Sequence, residues 1–197
     1  MARTLSPTAR QSALEAARCL VLDGGLAAFT VDAVARVSGV AKSTLYRHWS
    51  CRGDLLRDTL ELLVVALPTP NTGNLRDDLR LCLAPLVTTP SDAGIRRVLL
   101  GMLVESPGEP EMERVRIAFM EERERPIRTV IQLAQGRGDV PTDIDPEMLV
   151  DTIMGPLISR RILRGLDIDE STVEFHLDIA LAGLAAMSNR AGKAHPA

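Results

Sequence analysis

The sequence predicts an all-α protein with a small N-terminal helix-turn-helix domain and a larger C-terminal helical body. Three observations lead there. Apolar residues recur at helical spacing along the chain, and no segment shows a convincing period-two strand pattern. Residues 30–56, TVDAVARVSGVAKSTLYRHWSCRGDLL, have the composition of two short helices closed around a tight turn. Charge is also divided unevenly. Residues 1–56 carry seven Arg and Lys against four acids, while the rest carries sixteen against twenty-two, within a net charge of −3.

Ser6-Pro7 is a helix start, since Ser caps free N–H groups and Pro fits the first helical position. Ala13, Leu14, Ala17, Leu20 and Val21 then keep helical spacing up to Asp23-Gly24-Gly25, the expected stop. Thr30 is placed to cap a second helix to about Ser38, with Ala35 small enough for a close crossing. Gly39 supplies the positive φ that a sharp inter-helix turn requires. A third helix is expected over about Ala41 to His48. Val34, Val37, Val40, Leu45 and Trp49 are spaced to close one apolar core between the two. Ser50 is the expected cap of a fourth helix that carries Leu55, Leu56, Leu60, Leu63 and Val64 and ends before Pro68.

Residues 68–74, PTPNTGN, read as a loop or hinge. Helical patterns follow near 75–88, 92–105, 110–135, 146–164 and 169–188, with Asp145-Pro146 and Asp169-Glu170 as starts of the last two. Pro85, Pro126 and Pro156 fall inside these patterns and are expected to kink or interrupt them. The domains predicted are residues 1–56, with the fourth helix continuing to about 67, then 57–188, and a frayed tail over 189–197.

With 46% hydrophobic and 25% charged residues, the chain is of globular composition. Charges break every apolar run well short of the ~20 residues of a membrane span, and a cytoplasmic location is expected. Cys19, Cys51 and Cys82 are too scattered for a disulfide framework or a zinc site. Cys51 alone stands near a predicted helix start, where a lowered thiol pKa would permit a redox switch. No HExxH, P-loop or nucleophile elbow occurs, so no enzyme activity, cofactor or metal is expected.

The third helix leaves Lys42, Ser43, Thr44, Tyr46, Arg47 and His48 on or near its outer face, a composition suited to the major groove of DNA. Gly39-Val40, Thr44-Leu45-Tyr46 and His48-Trp49, followed by Arg52 and Leu55-Leu56, resemble the TetR/AcrR family of transcriptional regulators over about residues 8–60. The resemblance implies a homodimeric repressor that releases operator DNA when a small molecule binds its C-terminal body. It assigns base reading to Lys42, Ser43, Tyr46 and Arg47, and backbone contacts to Thr30, Thr44, His48 and Arg52. The chain departs from the pattern in three places. Ala41 stands where a capping Ser is frequent, Trp49 replaces the usual Phe, and Arg52 replaces the usual Lys.

In the body, Leu149, Ile153, Leu157 and Leu177, with the small residues Ala182, Gly183 and Ala186, form the expected dimer interface. Met102, Met112, Met120 and Met154 are candidates to line an apolar ligand cavity, with Glu105, Arg161 and His176 as polar gatekeepers. The rival readings are a small helical enzyme and a ligand-independent DNA-binding adaptor.

Overall fold

The computed structural model describes residues 6–64, 66–105 and 108–193, with the side chains of 105 and 188–193 left aside. Among the described residues all regular structure is helical. The helices are α1 (Pro7–Ala28), α2 (Val31–Ser38), α3 (Lys42–His48), α4 (Arg52–Leu63), α5 (Leu75–Thr88), α6 (Ala93–Glu105), α7 (Pro110–Arg137), α8 (Pro146–Ile158) and α9 (Glu170–Lys193). A π-helical turn, Ser159–Leu163, extends α8. The tail expected to fray from Asn189 instead continues α9 as far as Lys193.

The chain divides into two compact units. One holds residues 1–65 and 92–120, the other 66–91 and 121–197. The boundary read at residue 56 therefore misses a long-range feature: α6 and the start of α7 pack with the N-terminal helices. Their Val98, Met102 and Met112 join Leu14, Val21, Phe29, Leu45, Trp49, Leu55, Leu56 and Leu60 in one core.

Ser6 caps α1, its side chain accepting from the Ala9 N–H at 3.2 Å. The Gly pair breaks this helix but does not end it. Gly25 takes φ +69, and one further turn reaches Ala28. Arg97 of α6 donates to the Leu22 and Asp23 carbonyls, at 3.0 and 2.6 Å, satisfying acceptors freed beside the break. Thr30 caps α2 by accepting from the Ala33 N–H at 3.1 Å, and Gly39 closes it at φ +71. Val37 is not core: it lies on the outer side of α2, 51% exposed. Ser50 does not cap α4. Cys51 holds that position without a side-chain bond, while the Ser50 hydroxyl donates to Asp54. The fourth helix is also shorter than expected, ending at Leu63.

The second unit is built around Leu79, Leu83, Ile127, Ile131, Val150, Ile153, Leu157 and Leu177. Pro85, Pro126 and Pro156 are all carried inside helices. Only Pro156 is followed within a turn by a change of helical type, at Ser159.

Asp78, fully buried, fastens the loop over residues 68–74 to this unit. Its Oδ1 accepts from the Thr72 N–H at 2.6 Å and the Thr72 hydroxyl at 2.8 Å, and Arg137 stands 3.6 Å from Oδ2. Asp78→Ala should lower unfolding stability by about 3 kcal/mol, because it leaves the Thr72 N–H and hydroxyl without their acceptor, while Arg137 keeps Asp139 and Asn71. Urea unfolding reads this directly, and Asp78→Asn should lose clearly less.

Candidate nucleic-acid interface

α3 is seven residues long and has no side-chain cap, as Ala41 foretold. Its position comes from two anchors: Leu45 is 1% exposed and Trp49, just past its end, is 3% exposed. With those side chains inward, Lys42, Ser43, Tyr46, Arg47 and His48 are exposed and Thr44 is half-buried. This is the division of faces a groove-entering helix needs.

The outward groups are partly engaged within the chain. Lys42 Nζ lies 2.6 Å from Asp32 of α2, and that hydrogen bond raises the lysine's pKa. Its Nζ also sits 5.8 Å from the Tyr46 ring centre. Arg47 donates to the Thr44 hydroxyl at 3.2 Å. Thr30 uses its hydroxyl as the α2 cap. The His48 ring stands edge-on to Trp49 at 4.5 Å, and its Nε2 accepts from Arg10 Nε at 3.3 Å.

Two residues here escaped the sequence reading. Asp58 of α4 accepts from the Trp49 indole N–H at 3.0 Å and from Arg10 at 2.8 Å through the same Oδ2. It thereby joins α1, α3 and α4. A spacing of nine residues to Trp49 and forty-eight to Arg10 gives no local signal, and Arg10 counted only as one charge among seven.

Arg52 is an internal clip rather than an open phosphate anchor. Its Nε donates to the Phe29 carbonyl at 2.8 Å, one Nη donates to the Leu26 carbonyl at 2.6 Å, and the other lies 3.4 Å from Glu109. It thus satisfies the Phe29 carbonyl just past α1 and adds a second donor to the Leu26 carbonyl, which already accepts from the Phe29 N–H at 3.1 Å. Beside it Gly53 donates its N–H to Glu111, and a Cβ there would meet Glu111 and Val115 at 2.9–3.0 Å. Burial pushes the Cys51 thiol up, against the lowered pKa that a thiolate switch requires. Burial likewise takes Cys82 to about 12.

The body residues also sort differently from expectation. Leu149, Ile153, Leu157 and Leu177 are buried in the core of their own unit, so they are not free to face a second chain. Ala182, Gly183 and Ala186 are exposed. They share an outward stripe of α9 with Phe175 and Ile179, 59% and 55% exposed. The ligand candidates are divided between two cores. Met102 packs beside Met112 in the first unit and Met154 in the second. Met120 is half-buried at the end of the first unit. Arg161 donates to the Leu86 carbonyl and, at 2.7 Å, to that of Thr89. His176 makes an edge contact with Phe175. The Glu105 side chain lies outside the described residues. Among the described residues no cluster of His, Cys, Asp and Glu could hold a metal ion, and no helix is long and apolar enough to cross a membrane.

Residues 13–59 match the family model for bacterial regulatory proteins of the tetR family, and residues 69–180 match that for the tetracyclin repressor-like C-terminal domain. The chain belongs to the TetR family. An uncharacterized HTH-type transcriptional regulator of Mycobacterium tuberculosis is 34% identical over 163 residues, 81% of this chain and 79% of that protein. The regulator AqdR of Rhodococcus erythropolis is 28% identical over 175 residues, 88% of this chain and 84% of its own length. Among solved structures, the TetR family transcription regulator SCO0332 superposes with a TM-score of 0.66 at 27% identity. That match covers 89% of this chain and 97% of the other. The chain is thus a TetR-family helix-turn-helix transcriptional regulator.

Because Arg52 holds two carbonyls at the end of α1, Arg52→Ala should lower stability by about 2 kcal/mol with no DNA present. Arg52→Lys should recover only part, since an ammonium lacks the planar fork that reaches both acceptors. An unchanged urea midpoint in Arg52→Ala would return Arg52 to the set of open cations.

Proposed function

We propose that this TetR-family chain is a repressor that binds its operator as a homodimer and releases it when a small molecule occupies the second unit. Base reading is assigned to Lys42, Ser43, Tyr46 and Arg47, with Thr30, Thr44 and His48 on the backbone; Arg52 leaves that set. The observation that carries the reading is the exposure of Lys42 to His48 on a helix anchored by Leu45 and Trp49. Lys42 donates to guanine O6 or N7 only after leaving Asp32, so specific DNA exchanges one ion pair for another.

The outward faces of α8 and α9 support the homodimer. Met148 and the exposed Thr152, Gly155 and Pro156 line α8, and Phe175, Ile179, Ala182, Gly183 and Ala186 line α9. Gly155 and Gly183 lie inside helices, where glycine costs about 1 kcal/mol relative to Ala, yet a Cβ on either would meet nothing within 4 Å. Nothing among the described residues demands glycine there, whereas close approach of a second copy would. Two recognition helices about 34 Å apart then meet successive major grooves.

A groove of about 490 Å³ between α5 and α9, lined by Arg76, Arg80, Leu81, Val87, Glu170 and Val173, falls in the size range of small-ligand sites and supports an effector in this unit. The test of the whole reading is sequencing of genomic fragments retained at physiological salt, with and without cell extract. Enrichment of discrete fragments that the extract abolishes is expected. Recovery no better than random DNA would sink it.

Two variants separate the parts. Lys42→Ala should change which bases are preferred at one position of each half-site, by about 1–3 kcal/mol of discrimination. An equal loss on every sequence would instead make Lys42 a phosphate contact. Ile179→Glu alters a side chain outside the core. It should convert the micromolar dimer to monomer in sedimentation and weaken operator binding at least about tenfold through lost bivalency.

A further inference from the structure

We propose that Arg10 of α1 is a phosphodiester contact of the DNA-bound protein, positioned by Asp58 beside the end of the recognition helix. The inference rests on the DNA-binding reading above and adds a residue outside it. Arg10 lies before the 13–59 span matched by the family model.

The geometry of the guanidinium carries the idea. One edge of it is fixed: Nε donates to His48 Nε2 at 3.3 Å, and one Nη donates to Asp58 Oδ2 at 2.8 Å. Because the group is planar with its five N–H donors in a rigid fork, fixing that edge aims the opposite one. Among the described residues the other Nη has no partner, and the side chain is 45% exposed. A free Arg edge with two parallel N–H groups is the shape that takes two oxygens of a phosphate.

Asp58 makes the aim reliable. It is 17% exposed, and its Oδ2 is held from the other side by the buried Trp49 indole. Arg57 stands 3.7 Å from Oδ1 and 3.9 Å from Asp54, so Asp58 is not left as an excess negative charge facing DNA. An ion pair this open to solvent adds little to the fold by itself. Its effect is directional: Arg10 moves with Trp49, and Trp49 ends the recognition helix. His48, which shares the cluster, supplies a second nitrogen at the same end of α3. A phosphate seated there would be bound by α1 and α3 together, which fixes the depth at which α3 enters the groove.

The probe is a random-sequence 30-base-pair duplex, titrated by anisotropy over a series of salt concentrations with the full chain. Arg10→Ala should weaken binding about tenfold and flatten the slope of log K against log salt by about 0.9 for each protomer bound, or about 1.8 for a dimer. Arg10→Lys should keep the slope with reduced affinity. Asp58→Asn is the discriminating variant. Removal of a negative charge near DNA would by simple electrostatics tighten binding, whereas loss of the positioning partner should weaken it. Circular dichroism and urea midpoints verify that each variant is folded at the assay temperature.

An unchanged slope in Arg10→Ala overturns the proposal, as does tighter binding by Asp58→Asn, while wild-type operator binding would leave the broader reading intact. A wild-type chain that retains no duplex at low salt overturns both.

Discussion

The placement of α3 depends on the burial of two side chains, Leu45 in its middle and Trp49 just past its end, because the helix is too short to hold itself. A helix of seven residues cannot repay its own nucleation, and this one lacks a side-chain cap at Ala41. Burying a Leu is worth about 2 kcal/mol, and a Trp brings a larger apolar area still. Those anchors, with Val34 and Leu55, Leu56 and Leu60 around them, define where the outward residues stand. The polar tip of Trp49 is satisfied by Asp58, so the indole is fixed in rotation as well as in depth. The outward set Lys42 to His48 is therefore placed from below, by the core.

Arginine recurs as a structural device. Arg97, Arg52 and Arg161 each hold two main-chain carbonyls near the end of a helix: Leu22 and Asp23, Leu26 and Phe29, Leu86 and Thr89. Helix ends leave carbonyls without partners; Arg52 reaches its pair with Nε and one Nη, whereas Arg97 and Arg161 each reach both through a single Nη. The same residue type serves DNA phosphates, so sequence alone does not separate the two uses. Arg52 illustrates this well. It fits the family motif for a phosphate anchor, yet its neighbours in space are carbonyls from a helix twenty-three residues earlier.

The helices themselves were largely legible, because caps and periodicity are local signals. Ser6, Thr30, Asp145 and Asp169 each accept a main-chain N–H at the start of a helix. What the pattern could not resolve was which face of an apolar helix turns inward. α9 carries one stripe through Val173, Leu177, Ala180 and Leu184 and another through Phe175, Ile179, Gly183 and Ala186, and only the first is buried. A helix apolar on two sides has no unique inside by composition. Bulk does not decide between them, since the outward stripe holds Phe175 and Ile179 while the buried one includes Ala180. At the site, α3 and its outward set were readable from residue type and spacing. Arg10 and Asp58 were not, since their meaning comes from contacts forty-eight residues apart.

The distribution of charge changes once packing defines the units. Along the sequence, the first 56 residues show an excess of three positive charges. As packed, the first unit also contains residues 57–65 and 92–120, and it holds twelve Arg and Lys against eleven acids. The second holds eleven against fifteen. A unit so nearly neutral cannot draw DNA by a broad field. At physiological salt the screening length is about 8 Å, so cations act on phosphates only near contact. Affinity must then come from a few groups already held in place, and not from the number of cations. That is the circumstance in which a half-buried acid such as Asp58 aids binding to a polyanion: it adds repulsion at long range, and gives direction where contact is made.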